Sequence, residues 1–468
     1  MENILEKDTS SRFTSIISLV ALLAFFPMLL MGVYQTTVLL TRAFGVNAEI
    51  IVDTQAVLET INTDFIHAYS QGGEEAKDMI GPVKQEVTAL KPKYIRLDHI
   101  YDHHDVVHRS GDSLSYDFSR LDQAVQTILA TGAKPVLALS FMPAVIAKDG
   151  VIINPPNDWN EWAQVVRRTI EHYSGKGEMN IAEIYYEVWN EPDLDQFGKW
   201  HYSNQEKNYM TLYRYASQGA QQAQNVHQFY LGGPSTTGLY KNWIIALIKS
   251  GYRVDFLSWH SYLEDPTKFA KDQRNIANWL MTYPAHILKP KLITEYGFTG
   301  AKDGRYNTKY AAAHTAAVVR QLISGQPTFM FAFELKDGPG QTDGWGLIGH
   351  EGSNKQKKPR YHVYNFIDNM VGKRLALEGE GSWVTGFASI RDDVYRVFLV
   401  NFDQKGTHAE NVPVTFINLE PGDYEYREWF LQGRDVTFPE TVSTENPTLI
   451  REVFMPAQSI AILEVRKK

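Results

Sequence analysis

Tyr186-Glu187-Val188-Trp189-Asn190-Glu191-Pro192-Asp193-Leu194 is a β-rich run that ends in a carboxylate and is then broken by proline. A second run, Leu292-Ile293-Thr294-Glu295-Tyr296-Gly297, has the same form, with glycine as its breaker. Each places a glutamate at the carboxyl end of a strand, where an α/β barrel carries its reactive groups. Two carboxyls so placed can flank a glycosidic bond, one donating a proton and the other attacking carbon.

On either side of these runs, strand-like and helix-like segments alternate as in a β/α repeat. Candidate strands are Asp64–Tyr69, Tyr94–Asp98, Pro135–Ser140, Glu183–Trp189, Phe229–Gly232, Val254–His260, Lys291–Glu295 and Thr328–Phe333. Helical patterns lie between them, from Glu74–Leu90 to Thr308–Ser324, and Arg360–Met370 supplies an eighth. Strict alternation of this length predicts a (β/α)8 TIM barrel. From about Leu375 the texture becomes β-rich, with Gly, Pro, Asp and Asn turns and no helical period, which predicts a small C-terminal β-sandwich. Glu49–Val52 is positioned to add a strand to it. The expected division is a tail and anchor over 1–42, a barrel over 43–372 and the β-sandwich over 373–468.

The N-terminus carries a targeting signal. Ser15–Val33 is almost wholly apolar and no charge occurs from Phe13 to Thr41, long enough for the roughly 20 residues a transmembrane helix needs. A signal peptide has a shorter apolar region and a small-residue cleavage site, so an uncleaved anchor is the expectation and secretion after cleavage the alternative. Lys7 and Arg12 before the span, against Arg42 after it, favour a cytoplasmic tail with the body outside the membrane. A net charge of −8 argues against nucleic acid as a partner, and the absence of cysteine excludes disulfides and thiolate chemistry. The composition leaves oligomeric state open. The aromatic residues suit a large core first and a sugar-binding cleft second.

From Ala68 to Met370 the chain resembles glycoside hydrolase family 39. The resemblance is carried by YEVWNEPDL (186–194), LSFMP (139–143), NPP with the following Trp159, LGGPST (231–236), FLSWHSY (256–262) and KKPRYHVYNF (357–366). It implies a retaining glycosidase acting on a carbohydrate, with Glu191 as acid/base and Glu295 as nucleophile, and no cofactor or metal. It further implies that Asn190 binds the sugar 2-hydroxyl, that Arg96 keeps the nucleophile ionised and that Tyr262 orients it, with His260 alongside. Retention requires carboxyls about 5–5.5 Å apart, and at that distance the charge of Glu295 is expected to keep Glu191 protonated. Trp345 is either the floor of the sugar site or ordinary packing. Phe197, Trp200, His201 and Tyr202 are candidate outer-subsite platforms, and the basic run Lys355–Arg360 reads as a solvated helix start.

One departure stands out. Family xylosidases tend to carry Arg-x-His after the second strand, whereas this chain has Arg96-Leu97-Asp98. That pattern is closer to membrane-attached relatives that cut exopolysaccharides. The histidine-rich loop Asp98–Asp105 with His108 invites a metal reading, but it lacks a helical HxxxH pair and reads better as a polar sugar-binding rim. Three functions remain open: a glycosidase acting on a cell-surface polysaccharide, a β-xylosidase-like exo-enzyme, and an inactive carbohydrate-binding homologue.

Overall fold

In the computed structural model, which describes residues 45–203, 205–325, 328–433 and 439–468, eight parallel strands close into a barrel. They are β1 (Ala68–Gln71), β2 (Tyr94–Leu97), β3 (Lys134–Leu139), β4 (Tyr185–Val188), β5 (Tyr230–Thr236), β6 (Phe256–Tyr262), β7 (Lys291–Gly297) and β8 (Phe329–Phe333). The ring closes where β8 runs parallel to β1, with Phe331 opposite Ala68. Around it lie α1 (Lys84–Thr88), α2 (Ser119–Ala130), α3 (Trp159–Ser174), α4 (Tyr209–Gln222), α5 (Lys241–Lys249), α6 (Thr267–Leu280), α7 (Lys309–Leu322) and α8 (Pro359–Ile367).

Local chemistry sets the helix starts. Asp158, Asn208 and Thr308 accept backbone N–H bonds at the heads of α3, α4 and α7, and Pro359 opens α8, where its missing N–H costs nothing. Two expectations shift. Asp64–Ile66 is a 3-10 turn, headed by the Asn62 side chain accepting from the Asp64 N–H, so β1 starts at Ala68. The helix expected over Glu74–Leu90 shrinks to a 3-10 turn at Gly81–Val83 followed by α1. Pro82 cannot continue a helix begun before it, so the residues ahead of it form a loop over the barrel mouth.

A floor of apolar side chains (Ala68, Val136, Tyr185, Phe256, Leu292 and Phe331) fills one end of the barrel. Toward the opposite end the buried side chains turn polar, with Ser70, Arg96, Glu187, Thr294 and Glu295. That change of layer decides where chemistry can occur.

The C-terminal region is one continuous nine-stranded sheet, not two facing sheets. Its edge strands, Glu440–Thr444 and Thr448–Met455, lie at opposite ends of the strand order yet are joined by only residues 445–447. The sheet therefore curls back on itself, as accumulated strand twist allows. Ile50–Thr60, longer than the Glu49–Val52 expected, lies inside it, third from one edge, antiparallel to Lys373–Glu378 and parallel to Glu410–Ile417. Residues from both ends of the described chain thus build this unit. It packs on α7, whose Ala-rich face is buried beside Phe387, Phe398, Val400 and Phe402, while Arg320 pairs with Glu380 across the junction. No helix among the described residues is long and apolar enough to cross a membrane, and the expected span Ser15–Val33 lies outside them.

Candidate active site

Glu191 and Glu295 meet at the mouth of the barrel. Glu191 follows β4 in a strained turn in which both Trp189 (φ 74°) and Glu191 (φ 41°) take left-handed backbone conformations, rare outside glycine and frequent where a scaffold holds a functional side chain. The Glu191 N–H donates to the Ser235 carbonyl at 2.9 Å, tying this turn to β5. Glu295 lies on β7 just past a register shift between Ile293 and Glu295 against β6, and such a bulge re-aims the side chain that follows it.

The expected polar residues gather around the pair, at two depths. Arg96 is fully buried and spends its donors on four neighbours: Glu187 Oε2 (2.7 Å), Glu295 Oε1 (3.0 Å), Ser70 Oγ (3.2 Å) and Asn190 Oδ1 (2.7 Å). Tyr262 donates to Glu295 Oε2 at 2.6 Å. His260 Nδ1 stands 2.8 Å from Glu191 Oε1 and 3.5 Å from Glu295 Oε2, with Ser235 Oγ on its far nitrogen. A carboxyl oxygen of Glu191, one of Glu295 and a ring nitrogen of His260 all lie within 4.8 Å of one another.

A cavity of about 620 Å³ opens over this cluster, lined among others by Glu74, Asp98, Asn190, Glu191, Tyr262, Glu295 and Trp345. Arg96 and His260 do not line it. Both are wholly enclosed, and their polar atoms are taken up by the carboxyls together with Ser70, Asn190 and Ser235. Trp345 does line the cavity, packed edge-on against Phe333 with its N–H on the Ala301 carbonyl. Of the proposed platforms, Phe197 faces the cavity, whereas Trp200 is buried against Trp189. Tyr202 leans on Trp243 and His201 is exposed.

The electrostatics follow from this enclosure. Burial pushes Glu295 up to about 7; the Glu191 and Asp98 charges add to that, while His260 and Arg96 oppose it. For Glu187 burial acts in the same direction, but the Arg96 charge beside it wins and holds the carboxyl below its ordinary range. Burial resists charging of His260, and the Glu295 and Glu191 carboxylates outweigh it and raise the ring. Tyr262 is driven far up, first by burial and then by Glu295, and stays a neutral donor.

Three residue sets were not foreseen. Glu187 is the counter-charge of Arg96, and the Thr294 hydroxyl donates to its other oxygen at 2.9 Å; a charged residue at an inward position of a buried strand was the signal. Lys358 and Arg360 correct the reading of a solvated basic run. Lys358 is buried against Asp337 at 2.6 Å, and Arg360 donates to the carbonyls of Tyr296 and Phe333, clamping the ends of β7 and β8. Lys336, fully buried, pairs with Glu75 and Glu351 and ties the loop over the barrel mouth to the segment after β8.

Two other side-chain clusters have metal-like spacing, and their charges argue against that use. The Lys336 ammonium already bridges Glu75 and Glu351 beside His350. In the His99, Asp102, His103 cluster, His99 is raised to about 9 despite burial, by Asp98 and by Asp102 at 2.7 Å, so its ring offers a proton and no lone pair.

A model of the family described as Glycosyl hydrolases family 39 matches residues 67–396. A beta-xylosidase of Caldicellulosiruptor saccharolyticus is 27% identical over 385 residues, covering 73% of this chain and 75% of that protein. A beta-xylosidase of Geobacillus stearothermophilus is 25% identical over 306 residues, covering 57% and 58% respectively. Among solved structures, a monomeric beta-xylosidase from Caulobacter crescentus CB15 is similar with a TM-score of 0.72 at 19% identity, covering 90% of this chain and 99% of that one.

Proposed function

Because the chain belongs to glycosyl hydrolase family 39 and is a glycosidase of O-glycosyl bonds, we propose that it works with retention, Glu295 as nucleophile and Glu191 as acid/base, on an extracellular or cell-surface polysaccharide. The observation that carries this reading is the approach of the two carboxyls to within 4.8 Å. That spacing suits direct attack by one carboxyl and leaves no room for the water of an inverting enzyme. The two are also served differently. Arg96 and Tyr262 both donate to Glu295, while the partner of Glu191 is the His260 ring at 2.8 Å.

In the first step Glu295 attacks the anomeric carbon as the bond to the leaving oxygen breaks, and Glu191 gives that oxygen its proton. Glycosylation removes the charge on Glu295. Glu191, now a carboxylate, takes a proton from water, which attacks the same carbon and releases Glu295. His260 touches both carboxyls and is suited to follow this transfer of charge. Asn190, its oxygen held by Arg96, keeps its amide N–H₂ free for a sugar hydroxyl.

The apolar run Ser15–Val33 supports action outside the cytoplasm. A β-xylosidase-like exo-enzyme is the second reading, favoured by the two relatives of that name. Asp98 in place of the xylosidase histidine weighs against it, and the complete set of donors around Glu295 weighs against an inactive homologue. A 2-fluoro glycosyl inactivator should label Glu295, and product analysis by NMR should give the retained anomer first. A label on another residue, or the inverted anomer, would overturn the assignment. Turnover of aryl xylosides with no action on polymers would favour the second reading.

A further inference from the structure

We propose that the turn between α6 and β7 rests on the surface of an anionic phospholipid bilayer and holds the barrel mouth away from it. This builds on the reading of Ser15–Val33 as an anchor and concerns which face of the folded body meets the membrane.

The turn carries the two most exposed large apolar side chains among the described residues, Leu288 at 94% and Met281 at 72%, with Ile287 at 42%. Tyr283, His286 and Lys289 each donate a backbone N–H three residues back, to Leu280, Tyr283 and His286, so the run is a compact knuckle. Trp279 and Tyr283 flank it, half-buried. Single exposed apolar side chains are ordinary, but a group of them marks a contact surface. Aliphatic tips above aromatic rings suit a membrane interface, where such rings sit at headgroup level. Charge specifies the lipid. From Gln273 to Thr294 there is no aspartate or glutamate, in a chain of net charge −8, while Arg274, Lys289 and Lys291 fall within that stretch. Lys241 joins them over the Trp279 ring at 5.9 Å. Lys289 and Lys291 donate to the Val254 and Ile287 carbonyls, and Asp255, the carboxylate that acts on Lys289, is already held by Arg253 at 2.7 Å. Basic side chains around an apolar tip are attracted to anionic headgroups.

The placement agrees with a tether. Gly45 packs on the Trp383 ring, where a Cβ would meet it at 1.8 Å, and Trp383 shares a cavity of about 230 Å³ with Thr267, the first residue of α6. The 14 residues of α6 carry the chain about 21 Å to the knuckle. The 11 residues 34–44 extend to about 40 Å at most, so a span ending at Val33 leaves the knuckle within reach of the bilayer. The knuckle enters β7 at the end that holds the apolar floor, with the Leu257 N–H on the Pro290 carbonyl. Glu295 lies toward the other end of that strand. A bilayer under the knuckle therefore leaves the cavity open to polymer on the far side.

The test uses the full chain in liposomes. The chain has no cysteine, so Leu288→Cys and, in the exposed loop beyond β3, Val151→Cys each accept a single environment-sensitive fluorophore. The vesicles are phosphatidylcholine with or without phosphatidylglycerol, and a nitroxide-labelled lipid reports contact. With phosphatidylglycerol the Leu288 probe should shift to the blue and be quenched, and the Val151 probe should do neither. Arg274→Gln should lower the ratio of docked to undocked chain about fivefold, the contribution of one basic side chain at an anionic surface, and added salt should lower it further. An unquenched Leu288 probe on a chain that floats with the vesicles would overturn the proposal and leave the anchor standing. Equal quenching at Val151 would overturn it too, as would ready disulfide dimers of unlabelled Leu288→Cys, which would put a second copy on the knuckle. A chain that does not float at all would sink both readings. Glycoside turnover is a separate readout, since none of these substitutions touches the active site.

Discussion

At the scale of single residues, the buried Arg96–Glu187 pair holds Glu295, the proposed nucleophile, in place without touching the cavity. Glu187→Gln leaves the guanidinium short of a counter-charge, and removing one partner of such a pair costs about 3–5 kcal/mol. Urea unfolding should register that loss, and kcat should fall more than KM, since the variant disturbs the alignment of Glu295 and not the sugar contacts. An unchanged kcat would mean that Glu187 is merely structural. Glu295 gives a second prediction. Its carboxyl titrates near 4.5 when unfolded and about 7 in the fold. Between those values the native state binds more protons, so this group makes stability fall as pH rises from 4.5 to 7. Glu295→Gln removes that slope, and its thermal midpoint relative to the parent should rise across the same interval. A constant difference from pH 4 to pH 8 would contradict the shift. Glu191 and Glu295 were legible as candidates because each ends a strand before a breaker. Glu187 was half-legible: alternation along β4 turns it inward, but nothing local names Arg96, 91 positions away, as its partner.

Elements explain the rest of what the sequence left hidden. The eight-fold alternation could be read because most strands and helices carry their own period, and α3, α4 and α7 a side-chain cap as well. The loop ahead of α1 was misread because a helical pattern runs through Gly81-Pro82, and backbone geometry overrides pattern there. The basic start of α8 was misread for a different reason. Whether a lysine or arginine is solvated depends on what the fold brings over it, and here the ends of β7 and β8 arrive with unpaired carbonyls. Arg360 answers them with Nη1 on Phe333 and Nη2 on Tyr296, while Nε reaches Thr315 on α7. Arg360→Lys keeps the charge and loses the fork. With hydrogen bonds to charged groups contributing about 1.5–3 kcal/mol each, it should lower stability by about 3 kcal/mol and reduce activity even in the folded fraction. Denaturant titration beside kcat measurement checks this, and a fully active, fully stable lysine variant would refute the clamp.

For the whole molecule, the barrel and the curled sheet are joined by the α7 face and by a strand that precedes the barrel in sequence. Two truncations separate their contributions. Removal of residues 1–42 leaves the strand Ile50–Thr60 in place and should yield a soluble, active enzyme. Removal of residues 1–60 takes out an interior strand of the nine-stranded sheet and exposes the edges of Lys373–Glu378 and Glu410–Ile417. Unpaired edges of this kind template aggregation, so that protein should appear in the void volume on size exclusion, as should a chain ending at Gly372. A monodisperse, active product of the longer deletion would show that the sheet is an appendage. The curled sheet also has a consequence in time. A ribosome delivers Ile50–Thr60 before any barrel strand, yet its two neighbours begin at Lys373 and Glu410. At about 5–20 residues per second this strand waits on the order of tens of seconds for them. Until then its hydrogen-bonding edges are open to any other nascent chain, so a late event of synthesis is the one that makes this early strand safe.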